Sequence, residues 1–178
     1  MTGKLFTNLL EELIFAPLQM ARTTFDPTVA MTFPLAQVHH VDAEGGLSVR
    51  HWFWDRVAGY PSGGAFSTVL DLANFAILHL CEGEFRGKQI LSAASVREMQ
   101  TPHAVADKTT ARKYGLTFFL DDYKGLRLVE HWGGVGSFSS RFVLAPEIDV
   151  GVIVLHNRME SAFDPDGIVA SVLELFRR

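Results

Sequence analysis

Six consecutive residues without a polar side chain, Val150-Gly151-Val152-Ile153-Val154-Leu155, constrain this chain more than any other stretch. A half-solvated strand alternates apolar and polar residues, so an unbroken run predicts a strand covered on both faces and flanked by neighbours. Phe138–Ala145 precedes it across Pro146-Glu147-Ile148-Asp149, where the early proline suits a turn. Further upstream, Gly115–Leu120 and Leu126–His131 flank Asp121-Asp122-Tyr123-Lys124-Gly125, a second hairpin signal. Residues 114–156 therefore predict an antiparallel meander whose last strand is the apolar run. A long apolar strand at a sheet edge invites pairing with other chains. The sequence thus expects a partner strand that it does not contain.

Helical spacing surrounds the meander. Leu5, Leu9 and Leu13, with Phe6, Leu10 and Ile14, predict a helix over 1–17, ended by Pro17, which lacks an N–H. Residues 18–67 read as wrapping loops, with Pro27, Pro34, Gly45, Gly46 and Gly59 breaking any period. Over 68–100 two helices are predicted. The first starts at Thr68 with Asp71 three residues on, and Leu72, Phe75, Ala76, His79 and Leu80 share one face before Gly83. The second runs from Ser92, as N-cap, to about Gln100 ahead of Pro102. Ile168, Val169, Val172, Leu173 and Phe176 predict a helix over 166–178 that covers one sheet face. The expected fold class is α+β: N-terminal helices and a long loop region, then an antiparallel β-meander covered by a C-terminal helix, all in one domain spanning 1–178.

Composition narrows the partners. A chain of 178 residues with 48% apolar side chains suits a folded domain. With a net charge of −4 it lacks the positive field that phosphate backbones require, so no nucleic acid is expected. No run of about 18 uncharged apolar residues occurs, so no membrane-spanning helix is expected. Glu11 and Glu12 interrupt the first apolar stretch, which is no signal peptide, and as it stands the chain reads as cytoplasmic. The single cysteine, Cys81, excludes an internal disulfide and, following an apolar helix face, reads as a small buried hydrophobe.

The densest glycine cluster beside a strand is His131-Trp132-Gly133-Gly134-Val135-Gly136-Ser137-Phe138. Glycines at a strand end let backbone N–H groups approach a ligand and stabilise a developing oxyanion, and the adjacent histidine could hold a proton or a substrate oxygen. The plainer alternative is a glycine-rich β-turn beside a core histidine. Trp52 and Trp54, alternating with Phe53 and Asp55, either line a cleft or pack a core. His39-His40-Val41-Asp42 with His51 offers donors suited to zinc, but the spacing matches no strong zinc motif. Neither a metal nor a cofactor is expected.

His131-Trp132-Gly133-Gly134, Ser139-Ser140, Pro146-Glu147, Gly151–Leu155 and Asn157 together resemble the C-terminal end of the serine β-lactamase and penicillin-binding-protein-like family, of the class C β-lactamase and family VIII carboxylesterase type. Where the family's loop after this glycine pair reads Gly-Phe, Gly136 here precedes Ser137-Phe138. Ala16-Pro17-Leu18-Gln19-Met20 with Thr23 resembles its PLGM…T segment, Gln19 replacing glycine. Pro61-Ser62-Gly63-Gly64 with Ser67-Thr68 and Asp71-Leu72 resembles its AGG…ST..DL helix start. Ile90-Leu91-Ser92 to Met99, then Tyr114-Gly115-Leu116, resemble LS…M…YGLG, Thr117 replacing the last glycine.

The resemblance implies the C-terminal portion of the β-lactamase/transpeptidase-like fold, and hydrolysis of a small ester, amide or β-lactam through an acyl-enzyme. His131-Trp132-Gly133 would stand for the family's third motif. His131, Gly133 and Gly134 would then serve catalysis, the Gly134 N–H as an oxyanion donor, and Trp132 would contact substrate. No serine here is followed three residues later by lysine, so no nucleophile is assigned. Thr110-Ala111-Arg112-Lys113 has that spacing only with threonine, in a polar loop. Tyr60-Pro61-Ser62 fits only a Tyr-x-Ser pattern, which makes Tyr60 a substrate-binding candidate. The remaining motifs are expected in a missing N-terminal half, whose strand would pair with 150–155. The alternative is a non-catalytic module, self-associating through that strand as a homodimer or binding a ligand.

Overall fold

The computed structural model describes residues 3–50, 57–158 and 164–177. In chain order it contains α1 (Phe6–Leu10), a π-helical turn (Glu11–Phe15), α2 (Pro27–Ala30), β1 (Val38–Val41), β2 (Leu47–Arg50), a 3₁₀ segment (Val57–Ser62) and α3 (Val69–Leu80). Then come β3 (Glu84–Phe85), β4 (Lys88–Gln89), α4 (Ala93–Met99), β5 (Ala104–Asp107), β6 (Arg112–Tyr114), β7 (Phe119–Tyr123), β8 (Leu126–Val135), β9 (Phe138–Ala145), β10 (Val150–His156) and α5 (Pro165–Phe176). This is the expected α+β class: a six-stranded antiparallel meander, ordered β10-β9-β8-β7-β6-β5, with a helix at the C-terminal end. The chain folds as two compact units. One holds Met1–Leu72, Gly133–Ser140 and Leu155–Phe163, the other Ala73–Trp132, Arg141–Val154 and Asp164–Arg178.

In the first unit the N-terminal helix widens before it stops. Ala16 donates to the Glu11 carbonyl at 2.9 Å and Met20 to that of Phe15 at 2.8 Å, both one residue longer than an α-helical bond. Pro17, which has no N–H, sits in this terminating turn and carries the chain out of the helix. Phe15, Leu18 and Met20 are buried there, and Gln19 takes the left-handed conformation at φ +56°. Residues 18–67 contain more structure than the predicted loops. Asp26 caps α2 by accepting from the Thr28 N–H at 2.7 Å, with Pro27 at the first helical position. β1 and β2 form a hairpin in the register His39↔Val49 and His40↔Ser48. The Asp42 carboxylate closes its turn by accepting from the N–H groups of Gly46 and Glu44. Periodicity could not reveal this hairpin, because its four-residue strands carry few buried side chains.

The second unit is layered. On one sheet face Ala76 of α3 packs with Phe118, Leu120, Val129 and Leu144. On the other, Val169 and Leu173 of α5 pack with Leu128, Val143, Ala145, Val150 and Val152. Alternate residues of β10 thus serve both layers, Val150 and Val152 toward α5, and Ile153 among the α3-side cluster. That is the physical reason for its unbroken apolar run. A Cβ added at Gly151 would lie 3.4 Å from the Ala76 Cβ and from Leu144, about ordinary contact distance. β10 is also the terminal strand of the sheet, as expected, with β9 its one named neighbour among the described residues.

Two boundaries and one burial differ from expectation. β7 starts at Phe119 rather than Gly115 and runs through Tyr123, because the turn is only Lys124-Gly125, both left-handed at φ +52° and +87°. That two-residue turn matches the strand twist, and the Asp122 carboxylate accepts from the Gly125 N–H at 3.0 Å. Residues 115–118 instead form a turn in which Gly115 donates to the Phe118 carbonyl at 2.8 Å. Cys81 is exposed, not buried. It sits where α3 has just ended, and the chain reverses through Glu82 and Gly83, both left-handed. His79, on the predicted apolar face, is only 2% exposed.

Candidate active site

The His131–Gly134 stretch lies in the far half of β8. The β7–β8 register runs from Tyr123↔Leu126 to Phe119↔Glu130 and ends there, so residues 131–135 run past the last β7 pair. A strand that outruns its neighbour presents main-chain N–H and C=O groups along an open edge. Gly136 and Ser137 then form the turn into β9, Gly136 at φ +60° as a glycine-first hairpin turn requires. Gly136 and Ser137 thus make a two-residue hairpin turn.

Along this stretch His131, Trp132 and Gly134 are exposed, Trp132 at 52%. Gly133 is tighter. A Cβ there would come within 3.0 Å of the Ser140 hydroxyl, so the position holds a bare backbone beside β9. The His131 ring lies 5.5 Å from that of Phe119. Partial burial holds the imidazole below the ordinary histidine range; a hydrogen bond with the Trp132 backbone opposes this and the Arg112 charge adds to it.

Beneath His131 is a cluster that the sequence alone did not reveal. Arg112 places its guanidinium 4.3 Å from the Phe119 ring centre, and Tyr114 packs edge-on against the same ring at 4.8 Å. Arg112 pairs with Glu130, which is 4% exposed, and with Asp121 at 3.1 Å. The second Glu130 oxygen faces Arg141 at 3.5 Å, and Arg141 in turn donates to Asp166 at the start of α5 at 2.6 Å. A groove of about 630 Å³ beside α5 has this ion-pair cluster among its walls. The available signal was a glutamate, Glu130, in a strand segment whose neighbours Leu128 and Val129 are both buried.

Tyr60, in the 3₁₀ segment, stacks at 5.0 Å on Phe25, whose ring also meets Phe6 and Phe15. Thr110 is an exposed turn residue donating to Asp107 at 2.9 Å, an ordinary role for a loop threonine. His39 shares a network with Asn157, whose amide donates to the Gln37 carbonyl at 2.7 Å and lies 2.9 Å from His39 Nδ1. Among the described residues no cluster of three His, Cys, Asp or Glu side chains could hold a metal. His51, Trp52, Phe53, Trp54 and Asp55 lie outside the described residues. No described helix is long and apolar enough to cross a membrane.

Thr23, Ser67 and Asp71, three of the positions that carry the family resemblance, come together. Thr23 donates to Asp71 at 2.8 Å and lies 2.8 Å from the Ser67 hydroxyl, while the Arg22 N–H donates to the same Asp71 oxygen at 2.8 Å. The Thr68 hydroxyl accepts from the Asp71 N–H at 3.2 Å, the capping contact expected at the start of α3.

A family model described as Beta-lactamase matches residues 1–174. No curated protein matches the chain. Among solved structures, the octameric penicillin-binding protein homologue from Pyrococcus abyssi is 26% identical with a TM-score of 0.79, over 95% of this chain and 37% of its own. A D-amino acid amidase from Ochrobactrum anthropi SV3 is 23% identical with a TM-score of 0.73, over 99% of this chain and 52% of its own. A D-stereospecific amidohydrolase from Streptomyces sp. is 18% identical with a TM-score of 0.70, over 96% of this chain and 48% of its own. The last two likenesses concern the fold alone. The chain spans about half or less of the length of these three proteins.

Proposed function

Because the chain belongs to the beta-lactamase family, we propose that it forms one wall of a serine-hydrolase cleft, with the nucleophile supplied by polypeptide outside residues 1–178. The observation that carries this reading is the run of His131–Val135 past the last β7 pair, which leaves a strand edge for a substrate carbonyl. In the reaction, a serine oxygen bonds to the carbonyl carbon of a small ester, amide or β-lactam. The carbonyl oxygen takes negative charge, the leaving group departs with a proton, and water then releases the acyl group. Gly134 offers its N–H to that oxygen, one donor being worth a factor of about 10² to 10³ in rate. His131 hydrogen-bonds the substrate, Gly133 keeps the backbone bare, and Trp132 contacts the acyl or leaving group. Tyr60 is a second candidate for that last role. The absence of a Ser-x-x-Lys in this sequence supports a divided site, as does its share of the related structures' length.

The binding half of this reading is tested by amide NMR while a neutral ester and a neutral amide are titrated into the chain. Saturable shifts concentrated at 131–135 are expected. Shifts confined to other segments contradict the assignment.

A second reading rests on a separate observation, that β10 is a sheet edge. Here two copies pair through 150–155 to give a two-fold dimer. Sedimentation velocity distinguishes it. A dimer broken by Leu155→Lys, at a position 39% exposed, supports edge pairing, and a monomer at all concentrations removes it. Val152 is unsuited to this test because it is packed against α5.

A further inference from the structure

Phe119 is the shared contact of three side chains: the Arg112 guanidinium, the Tyr114 ring and the His131 imidazole. Arg112 is the one of the three with anchored charge. Its two carboxylate partners come from β7 and β8, Asp121 and the buried Glu130, and Glu130 immediately precedes His131 in the chain. Successive strand residues face opposite ways, so a contact that fixes Glu130 also fixes the backbone from which His131 departs. Arg141, tied to Asp166, meets the other Glu130 oxygen and closes the cluster on the α5 side.

We propose that Arg112 is a positioning residue for His131, holding the Phe119 ring against the imidazole so that His131 meets substrate as a neutral hydrogen-bonding group. This rests on the proposed cleft and adds a substrate preference to it: carbonyl compounds uncharged near the scissile bond, rather than ones bearing a carboxylate that needs a cation there. Of the charged and titratable groups on the packed strands, Arg112 on β6 acts on His131 directly, while Tyr114 on β6, Asp121 on β7 and Glu130 on its own strand meet Phe119 or Arg112. Arg112 already has its donors engaged by two carboxylates, which leaves it a support rather than an anion receptor. The lowered proton affinity of His131, with burial as its first cause and Arg112 as a further one, agrees with this arrangement.

The test is an NMR titration of the His131 Cε1–H signal, assigned with His131→Gln, in the whole chain. The parent protein is expected to titrate below the ordinary histidine midpoint and to show a nuclear Overhauser contact between the His131 and Phe119 rings. Arg112→Met should move the midpoint upward, and Arg112→Lys, which keeps the charge, should move it less. Phe119→Leu keeps the ion pairs and should both raise the midpoint and remove the ring-current shift. If Arg112→Met fails to fold, Arg112→Lys still decides the matter, by a smaller upward shift and a weakened contact between the His131 and Phe119 rings. An unshifted midpoint in folded variants, or no contact between the two rings in the parent, overturns the proposal. The titration reads the imidazole without any turnover, so its outcome is independent of whether the chain proves to hold a nucleophile.

Discussion

The Thr23 hydroxyl donates to the Asp71 carboxylate at 2.8 Å, joining the segment after the N-terminal helix to the first turn of α3. Both residues are buried, Thr23 at 6% and Asp71 at 7% exposure. The same segment pairs with the chain before α3 through reciprocal Thr24 and Phe66 backbone bonds at 3.0 and 2.8 Å. The carboxylate thus closes a strap whose ends are 48 residues apart. Thr23→Val keeps the shape and deletes the donor, leaving a buried charge with one partner fewer. A loss of about 1.5–3 kcal/mol is expected for a hydrogen bond to a charged group, read by urea unfolding.

Two departures from the family's glycines fall on left-handed backbone. Gln19 stands at φ +56° and Thr117 at φ +75°. A residue with a Cβ is disfavoured there by roughly 1–2 kcal/mol, and a β-branched one most of all. Thr117→Gly and Gln19→Gly are expected to raise stability, by about 1 kcal/mol after the extra entropy of glycine in the unfolded chain is set against the gain. The larger effect belongs to Thr117. Thermal unfolding of both variants checks the sign and the order.

His79 gives the core an acid limit. Its ring sits edge-on to Phe75 at 4.7 Å and Phe118 at 5.0 Å, and neither ring nitrogen finds a hydrogen-bond partner among the described residues. Burial pushes its pKa down to about 4 from 6.5. The folded state therefore binds fewer protons than the unfolded state between these values. Stability is full above pH 6.5, falls as pH drops below it, and has lost the whole contribution once pH passes below about 4. The loss is on the order of 3 kcal/mol. His79→Leu is expected to unfold less readily than the parent by a margin that grows from pH 6.5 to 4. A margin independent of pH contradicts this.

Gly133 and Ser140 form a steric pair. Gly133→Ala brings a Cβ to within 3.0 Å of the Ser140 hydroxyl and should cost about 1 kcal/mol or more, the lower range for overpacking. In a Ser140→Ala background the clash is relieved, so the double variant should lose less than the sum of the two single variants, a coupling opposite in sign to the Gly133→Ala cost. Additive effects would show that the tight position lies elsewhere.

Local chemistry made much of the fold legible. The Pro146–Asp149 turn between β9 and β10 follows from proline early in the turn, and Ser92 caps α4 by accepting from the Ser95 N–H at 3.0 Å. The run 150–155 read correctly as terminal in the sheet, and Val150, Val152 and Ile153 serve both layers, whereas Gly151 and Leu155 are exposed. What stayed hidden depends on pairs distant in sequence. Arg112 and Glu130 are 18 residues apart, and no periodicity links them. The exposure of Cys81 depends on where α3 stops, which the chain decides through left-handed Glu82 and Gly83 rather than through an apolar pattern. At the candidate site, the glycines marked the stretch, whereas the end of the β7 register, which opens its edge, could be seen only in three dimensions.

In its proposed role as one wall of a serine-hydrolase cleft, this chain would depend on a nucleophile from elsewhere. The most direct test is incubation of the 178-residue chain with a fluorophosphonate, read by intact mass, alongside hydrolysis of p-nitrophenyl butyrate and nitrocefin. An unchanged mass and no turnover above the rate of His131→Gln are predicted. A stoichiometric adduct on any serine, with turnover that the label abolishes, would contradict the claim.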